Sequence, residues 1–217
     1  VGDYFKCRAY LSGFTGSAGT LVVTADEAGL WTDGRYFLQA ADQLQGSGIT
    51  LHKMGIDAPI SAYLKTVLKS GQCVGYDGRT VRVAYAKTLQ NELRDLSVRF
   101  DETAALVSEL WADRPLFPAA PIWELPTVYT GKSRVEKLAD VRQAMADAGA
   151  DCHLLASLDD IAWLFNLRGS DVLYNPVFMS HALLTAQETI LYASLDAVSD
   201  DLAATLREDG ITLRPYL

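Results

Sequence analysis

An aromatic residue, an acid and an arginine stand together in the run Trp31–Phe37 (WTDGRYF), a combination that could bind a carboxylate or a peptide carbonyl. The run lies between a predicted strand and a predicted helix, where the guanidinium of Arg35 could reach outward to such a group. The alternative is an ion pair between Arg35 and Asp33 that only fixes the junction. The residues alone leave both interpretations open.

A second charged run is Asn166–Asp171 (NLRGSD), which places an arginine three residues before an acid. Arg168 and Asp171 could pair with each other or line a cleft. The short spacing favours the local pair.

Metal ligation and nucleophilic catalysis find little support in this sequence. The three histidines, His52, His153 and His181, lie in separate predicted elements and lack ligand spacing. His153 sits inside an apolar run, so we expect a hydrogen-bonded core histidine there. The three cysteines form no CxxC pair and favour a reducing, cytoplasmic compartment. We therefore predict neither a metal nor a catalytic residue within this chain.

Glycines recur in Gly13–Gly19 (GFTGSAG) and suggest a phosphate-binding loop. The run lacks the Lys-Ser/Thr ending and precedes a β-rich stretch instead of a helix. We expect these glycines to serve backbone geometry and close approach to a neighbouring surface.

Strands and helices alternate along the chain, which predicts an α/β fold with helices packed on a sheet. A hairpin is predicted over 20–32 and a helix from Arg35. Further strands are expected at 49–54, 73–76 and 97–100, and further helices at 60–68 and 83–96. Beyond them, the pattern predicts strands at 152–156, 182–184 and 190–193, and helices at 159–167 and 200–207.

Prolines crowd residues 115–126 and mark a domain boundary, because neither helices nor central strands tolerate them. We assign residues 1–118 to a first domain, 119–131 to a linker and 132–217 to a second domain. A capping box of Ser133 and Glu136 opens the helix that follows. The predicted apolar stripe of this helix is Val135, Leu138, Val141 and Met145.

The two halves share a short pattern, TAxExxL followed by an aromatic residue. It occurs in Thr24–Trp31 and again in Thr185–Tyr192, and a Gly-Ser pair precedes each copy. The repetition predicts one similar hairpin in each domain.

A net charge of -8 and a pI near 4.8 disfavour a nucleic-acid partner. The apolar stretches fall far short of the roughly 18 residues that cross a bilayer, so no membrane partner is expected.

Four strings resemble the three-domain Xaa-Pro aminopeptidases, the aminopeptidase P family: Tyr10–Thr20, Leu30–Ala40, Asp160–Asp171 and Asn175–Phe178. The resemblance runs from about Asp3 to the end of the chain. It corresponds to the family's two N-terminal creatinase-like domains, and it implies for each a mixed β-sheet flanked by helices, with a ribonuclease H-like motif. The family's opening residues and its third domain lie outside the given sequence.

In that family, the third, pita-bread domain carries two manganese ions and removes the residue that precedes proline. Its ligands and catalytic histidines cannot be placed on this sequence. The resemblance implies that Arg35 contacts a proline-containing peptide, with Arg168, Asp171 and Tyr174 as further candidates. It also implies partners in the chain's own catalytic domain and in a second copy, as a homodimer.

The leading hypothesis is thus the non-catalytic N-terminal part of a cytoplasmic Xaa-Pro aminopeptidase, inactive alone. One alternative is a non-catalytic peptide- or protein-binding module, as creatinase-like domains also occur in histone chaperone subunits. The other is a scaffold that only supports dimer contacts.

Overall fold

Helices alternate with strands in both halves of the chain, as a computed structural model shows for residues 2–103 and 106–216. The predicted α/β class is confirmed. The chain divides into a first unit, Phe5–Pro115, and a second unit, Leu116–Leu217 with Val1–Tyr4.

The first unit contains five helices and five strands among its described residues. The helices are α1 (Cys7–Ser12), α2 (Phe37–Gln43), α3 (Ile60–Val67), α4 (Val83–Leu93) and α5 (Leu106–Leu110). The strands are β1 (Thr20–Val23), β2 (Ala28–Thr32), β3 (Ile49–Lys53), β4 (Cys73–Gly75) and β5 (Arg99–Asp101).

Two separate sheets form from these strands. The first has the order β1-β2-β3, with β1 and β2 antiparallel and β3 parallel to β2. The second joins β4 to β5 in parallel. Each sheet has its own small core: Phe14 and Leu30 are fully buried beside the first, whereas Leu64 and Leu93 are buried between α3 and α4.

The second unit contains four helices and six strands among its described residues. The helices are α6 (Thr127–Thr130), α7 (Arg134–Asp147), α8 (Leu158–Phe165) and α9 (Asp200–Glu208). The strands are β6 (Trp123–Glu124), β7 (Cys152–Leu155), β8 (Leu167–Arg168), β9 (Ser180–Thr185), β10 (Thr189–Ala193) and β11 (Ile211–Pro215).

One four-stranded sheet of order β11-β10-β9-β7 organises the second unit, and a single large core lies against it. Serine hydroxyls cap its three longer helices at Ser133, Ser157 and Ser199. The predicted capping box of Ser133 and Glu136 is confirmed. These caps satisfy amide groups that the first helical turn leaves unpaired.

The predicted hairpin repeat is confirmed in its hydrogen bonds. The amide of Thr24 donates to the carbonyl of Glu27 at 2.9 Å, and the amide of Thr185 donates to that of Glu188 at the same distance. In both turns the threonine hydroxyl also accepts from the glutamate amide. The aromatic residue that ends each copy stacks on a histidine, at ring distances of 3.9 Å for Trp31 and His52 and 4.6 Å for Tyr192 and His181.

Two predictions of burial are wrong. His153 is exposed, because β7 stands at an edge of its sheet. In α7, Val135 is 49% exposed, whereas Arg134 and Lys137 are 3% and 2% exposed. The helix thus buries two charged side chains that its sequence assigns to the polar face.

Part of the segment predicted as a linker is structured. Within 119–131, Ile122 is buried and its amide donates to the carbonyl of Ala197 at 2.8 Å, and β6 and α6 follow. No helix in the described ranges is both long and apolar enough to cross a membrane.

Candidate functional site

Arg35 lies just after β2, on a short turn that leads into α2. Its amide donates to Asp33 Oδ1 at 3.1 Å. Its Nε and Nη2 donate to the two carboxylate oxygens of Asp33 at 2.9 and 2.8 Å. The Arg35 side chain is nevertheless 68% exposed, so the outer part of its guanidinium stays open to solvent. A fork held on one edge and open on the other can bind a second acceptor.

The same tripeptide, Asp-Gly-Arg, occurs again at Asp77–Arg79, and the structure shows the same geometry there. Arg79 Nε and Nη2 donate to the Asp77 carboxylate at 2.9 and 2.7 Å, and the Arg79 amide donates to Asp77 Oδ1 at 3.0 Å. Our sequence analysis missed this second copy, although the repeated tripeptide could have revealed it. The ion pair itself is therefore a local property of Asp-Gly-Arg and does not identify a site.

The pKa of the Asp33 carboxyl reports on its ion pair with Arg35. The hydrogen bonds from Arg35 lower the pKa of the Asp33 carboxyl from 3.8 to about 2. Because the folded-state pKa is depressed, the stabilisation from Asp33 is present above pH 3.8 and is lost as the pH falls through 2. We expect Arg35→Ala in this chain to return the pKa toward 3.8, as measured by NMR of the side-chain carboxyl carbon.

The control for this titration is Asp77, whose pKa is also lowered, first by its hydrogen bond from Arg79. Arg35→Ala should leave the Asp77 curve unchanged. If Asp33 titrates alike in the variant and the unaltered chain, Arg35 does not hold the carboxylate in solution.

The glycine-rich loop Gly13–Gly19 packs beside this turn. Its carbonyls at Gly16 and Gly19 accept hydrogen bonds from the guanidinium of Arg8. A Cβ at Gly16 would lie 2.2 Å from Phe14 Cζ and 2.8 Å from Tyr36 Cδ1, so only glycine fits. The close approach expected of these glycines is confirmed. It lets the Ser17 hydroxyl reach Tyr36 at 2.6 Å, a hydrogen bond that lowers the pKa of the Tyr36 phenol.

Arg168 and Asp171, in the second unit, do not form the local ion pair that the sequence predicts. Arg168 Nη1 donates to the carbonyls of Ala162 and Leu167 at 2.7 and 2.9 Å. The Asp171 carboxylate accepts from the amides of Ala120 and Met179 at 3.1 and 2.7 Å. The expectation of a local ion pair is wrong, because backbone groups brought close by the fold satisfy both charges.

Tyr174 stands at the tip of the loop that Asp171 anchors. The amide of Asn175 donates to the carbonyl of Val172 at 3.1 Å and closes a tight turn. Tyr174 fills the third position of this turn with a φ of 63°, a left-handed value rare for a bulky residue, and is 97% exposed. The turn therefore presents the phenol to solvent.

Asn166, the first residue of the second charged run, is held by a buried lysine. It ends α8 with a φ of 53°, and its Oδ1 accepts from Lys137 Nζ at 2.7 Å. Lys137 Nζ also donates to the carbonyl of Trp163 at 2.8 Å and lies 4.3 Å from the centre of the Trp163 ring. Burial lowers the pKa of Lys137. Sequence analysis missed this lysine, which fixes the start of the run.

A metal ion finds no ready ligand set in the described ranges, 2–103 and 106–216. No three side chains of His, Cys, Asp or Glu come together there. The described residues therefore offer no ligand set for a manganese pair, which the resemblance assigns to the family's third domain.

Comparison with known proteins gives consistent matches along the chain. Models of the creatinase/prolidase N-terminal domain match residues 6–110 and 113–217. A probable Xaa-Pro aminopeptidase P of Pyricularia oryzae is 39% identical over 96% of this chain and 34% of its own length. Aminopeptidase P1 of Lotus japonicus is 35% identical over 97% of this chain and 32% of its own length. The chain thus spans about a third of these curated relatives.

A solved structure is similar over the whole chain. It is X-prolyl aminopeptidase from Caenorhabditis elegans, described as a cytosolic enzyme with a di-nuclear active site. The TM-score is 0.91 at 30% sequence identity, and the match covers 100% of this chain and 36% of the other.

Proposed function

The chain belongs to the creatinase/prolidase N-terminal domain family, with one such domain in each half, and we propose that it is the non-catalytic N-terminal portion of a metal-dependent Xaa-Pro aminopeptidase. The parent protein would remove the N-terminal residue that precedes proline in a peptide. The observation that carries the proposal is similarity to aminopeptidases P over 96% of the chain.

In this proposal, Arg35 is the main contact to the peptide. Its guanidinium is exposed on one edge while Asp33 holds the other. The group is therefore already oriented to donate to a substrate carbonyl or carboxylate. Asp171, Arg168 and Tyr174 form a second, weaker candidate set. Asp171 anchors the loop and Arg168 fixes its base, while the exposed Tyr174 would make the contact.

The remaining parts of the proposed enzyme lie outside this chain. The metal pair, proposed to be manganese, belongs to the catalytic domain of the parent protein, and that domain is one proposed partner. A second copy, forming a homodimer, is the other. The proposed compartment is the cytoplasm, supported by the cytosolic C. elegans enzyme and by cysteines that form no disulfide among the described residues.

The test compares the full-length parent protein with this chain in release of the first residue from a short Xaa-Pro-Xaa peptide. We expect manganese-dependent turnover by the parent and none by the chain alone. A peptide with alanine in place of the proline is the control substrate. Turnover by the chain alone would place catalysis in these residues and contradict the proposal. Lack of turnover by both would favour the non-catalytic binding module.

A further inference from the structure

The first unit contains an apolar cavity of about 520 Å³ at the gap between its two sheets. In the described part of the chain, β1 stands at one edge of the first sheet and β4 stands at an edge of the second. Residues of both strands line the cavity. Apolar residues predominate in the lining, among them Leu21, Val22, Leu64, Val67 and Leu89.

The four-stranded sheet of the second unit contains the same arrangement of strands as the first sheet of the first unit. The arrangement β1-β2-α2-β3 repeats there as β9-β10-α9-β11, antiparallel and then parallel. The registers also correspond, since Ala28 pairs with Ile49 and Thr189 pairs with Ile211. With the shared turn at Thr24 and Thr185, this alignment makes β1 the counterpart of β9.

On its side away from β10, β9 pairs with a further strand, β7, whereas the corresponding side of β1 faces the cavity. β7 pairs antiparallel with β9, so that Leu155 lies opposite Ala182 and His153 opposite Leu184. The counterparts of Ala182 and Leu184 on β1 are Leu21 and Val23. In an antiparallel ladder, hydrogen-bonded pairs alternate with pairs that exchange no hydrogen bonds. Thr24 and Glu27 form a hydrogen-bonded pair, so the pairs that Val23 and Leu21 make with β2 are of the second kind. The amides of Leu21 and Val23 therefore point away from β2, toward the cavity.

Chain order identifies where a counterpart of β7 would lie in the sequence of the first unit. β7 directly precedes α8, and α8 corresponds to α1. Both helices end in a left-handed residue, Gly13 or Asn166, and a buried apolar residue and a Gly-Ser pair follow soon after. The missing strand should therefore precede α1. Gly2–Tyr4 group with the second unit instead, so the strand lies further upstream.

We infer that the cavity seats an extended strand from the polypeptide that precedes Val1 in the parent protein. This strand runs antiparallel to β1 and bonds the outward amides of Leu21 and Val23. Its inward side chains are apolar, because they replace the empty space above Leu64 and Leu89. With β4 on its other side, the strand joins the two sheets of the first unit into one. The inference does not depend on the proposed peptidase activity.

Hydrogen exchange tests the inference on two proteins: this chain, and the same chain extended by its natural upstream residues. We expect the amides of Leu21 and Val23 to exchange at least about tenfold more slowly in the extended protein. The amides of Ala182 and Leu184, already bonded to β7, should exchange equally in both. Equal rates at Leu21 and Val23 in the two proteins would overturn the inference.

A proline variant gives a second measurement. Val23→Pro removes only an outward amide, so it should change the Tm of this chain little and lower that of the extended protein by about 5 °C. Leu184→Pro, its counterpart on β9, should destabilise both proteins. Equal effects of Val23→Pro in the two proteins would contradict the inference. Protection of Leu21 in this chain that rises with its own concentration would assign the cavity to a second copy instead.

Discussion

An Arg35→Ala variant of the parent protein should cleave an Xaa-Pro-Xaa peptide with a kcat/KM about 10- to 100-fold lower than the unaltered protein, the usual effect of losing a charged hydrogen bond to substrate. The guanidinium is exposed on the edge that Asp33 leaves open, so its loss removes a contact to the peptide and leaves the fold intact. Arg35→Lys should recover only part of the activity, because an ammonium lacks the planar fork.

Arg79→Ala is the matched control, since Arg79 makes the same bonds to Asp77 that Arg35 makes to Asp33. Each variant loses one Asp-Gly-Arg ion pair, but only Arg35→Ala should lower kcat/KM. A similar loss in both variants would mean that the ion pair matters for folding and that Arg35 does not contact the peptide. Thermal melting of both proteins separates these explanations.

Lys137→Ala should lower the free energy of unfolding of the second unit by about 3 kcal/mol, as urea denaturation would measure. The variant removes a buried side chain, leaves Asn166 Oδ1 without the ammonium that donates to it, and leaves the carbonyl of Trp163 with only the backbone amide of Asn166. Lys137→Met, which keeps the volume without the charge, should lose less.

Lys132→Ala is the control for this variant, because the Lys132 ammonium is exposed and its partner among the described residues is the exposed carboxylate of Asp140. An equally small loss in Lys137→Ala would mean that water reaches the ammonium in solution. The pH dependence has a definite sign. Since burial lowers the pKa of Lys137 below 10.5, the unfolded chain binds the proton more tightly, and stability from this group rises with pH up to 10.5.

Features whose partners lie close in sequence could be predicted without the structure. The hairpin turn at Thr24, its copy at Thr185 and the capping box at Ser133 all form within four residues, so local patterns determine them. The same holds for the ion pair of Arg35, one of the two interpretations that the sequence left open. The proposed contact of Arg35 to a peptide involves a group outside the chain and stays a prediction.

Features that depend on distant backbone could not be predicted. Asp171 binds an amide 51 positions away, at Ala120, and a nearby arginine gave the more obvious partner. Lys137 reaches Asn166 across 29 positions, and nothing in the pattern of α7 distinguishes it from a solvated lysine. His153 looked like a core residue because its neighbours are apolar, but sheet order, which sequence periodicity does not encode, left its strand at an edge.

Two similar sheets in one chain create a problem of pairing during folding, since a hairpin from one unit could join strands of the other. The stacked rings join different strands in the two sheets. Trp31 of β2 stacks on His52 of the parallel strand β3, whereas Tyr192 of β10 stacks on His181 of the antiparallel strand β9. An exchanged β1-β2 hairpin would lose the contact of Trp31 with His52, whereas an exchanged β9-β10 hairpin would carry both Tyr192 and His181 with it. The stack of Trp31 on His52 therefore favours the native pairing of β2 with β3, and the stack of Tyr192 on His181 favours formation of its own hairpin.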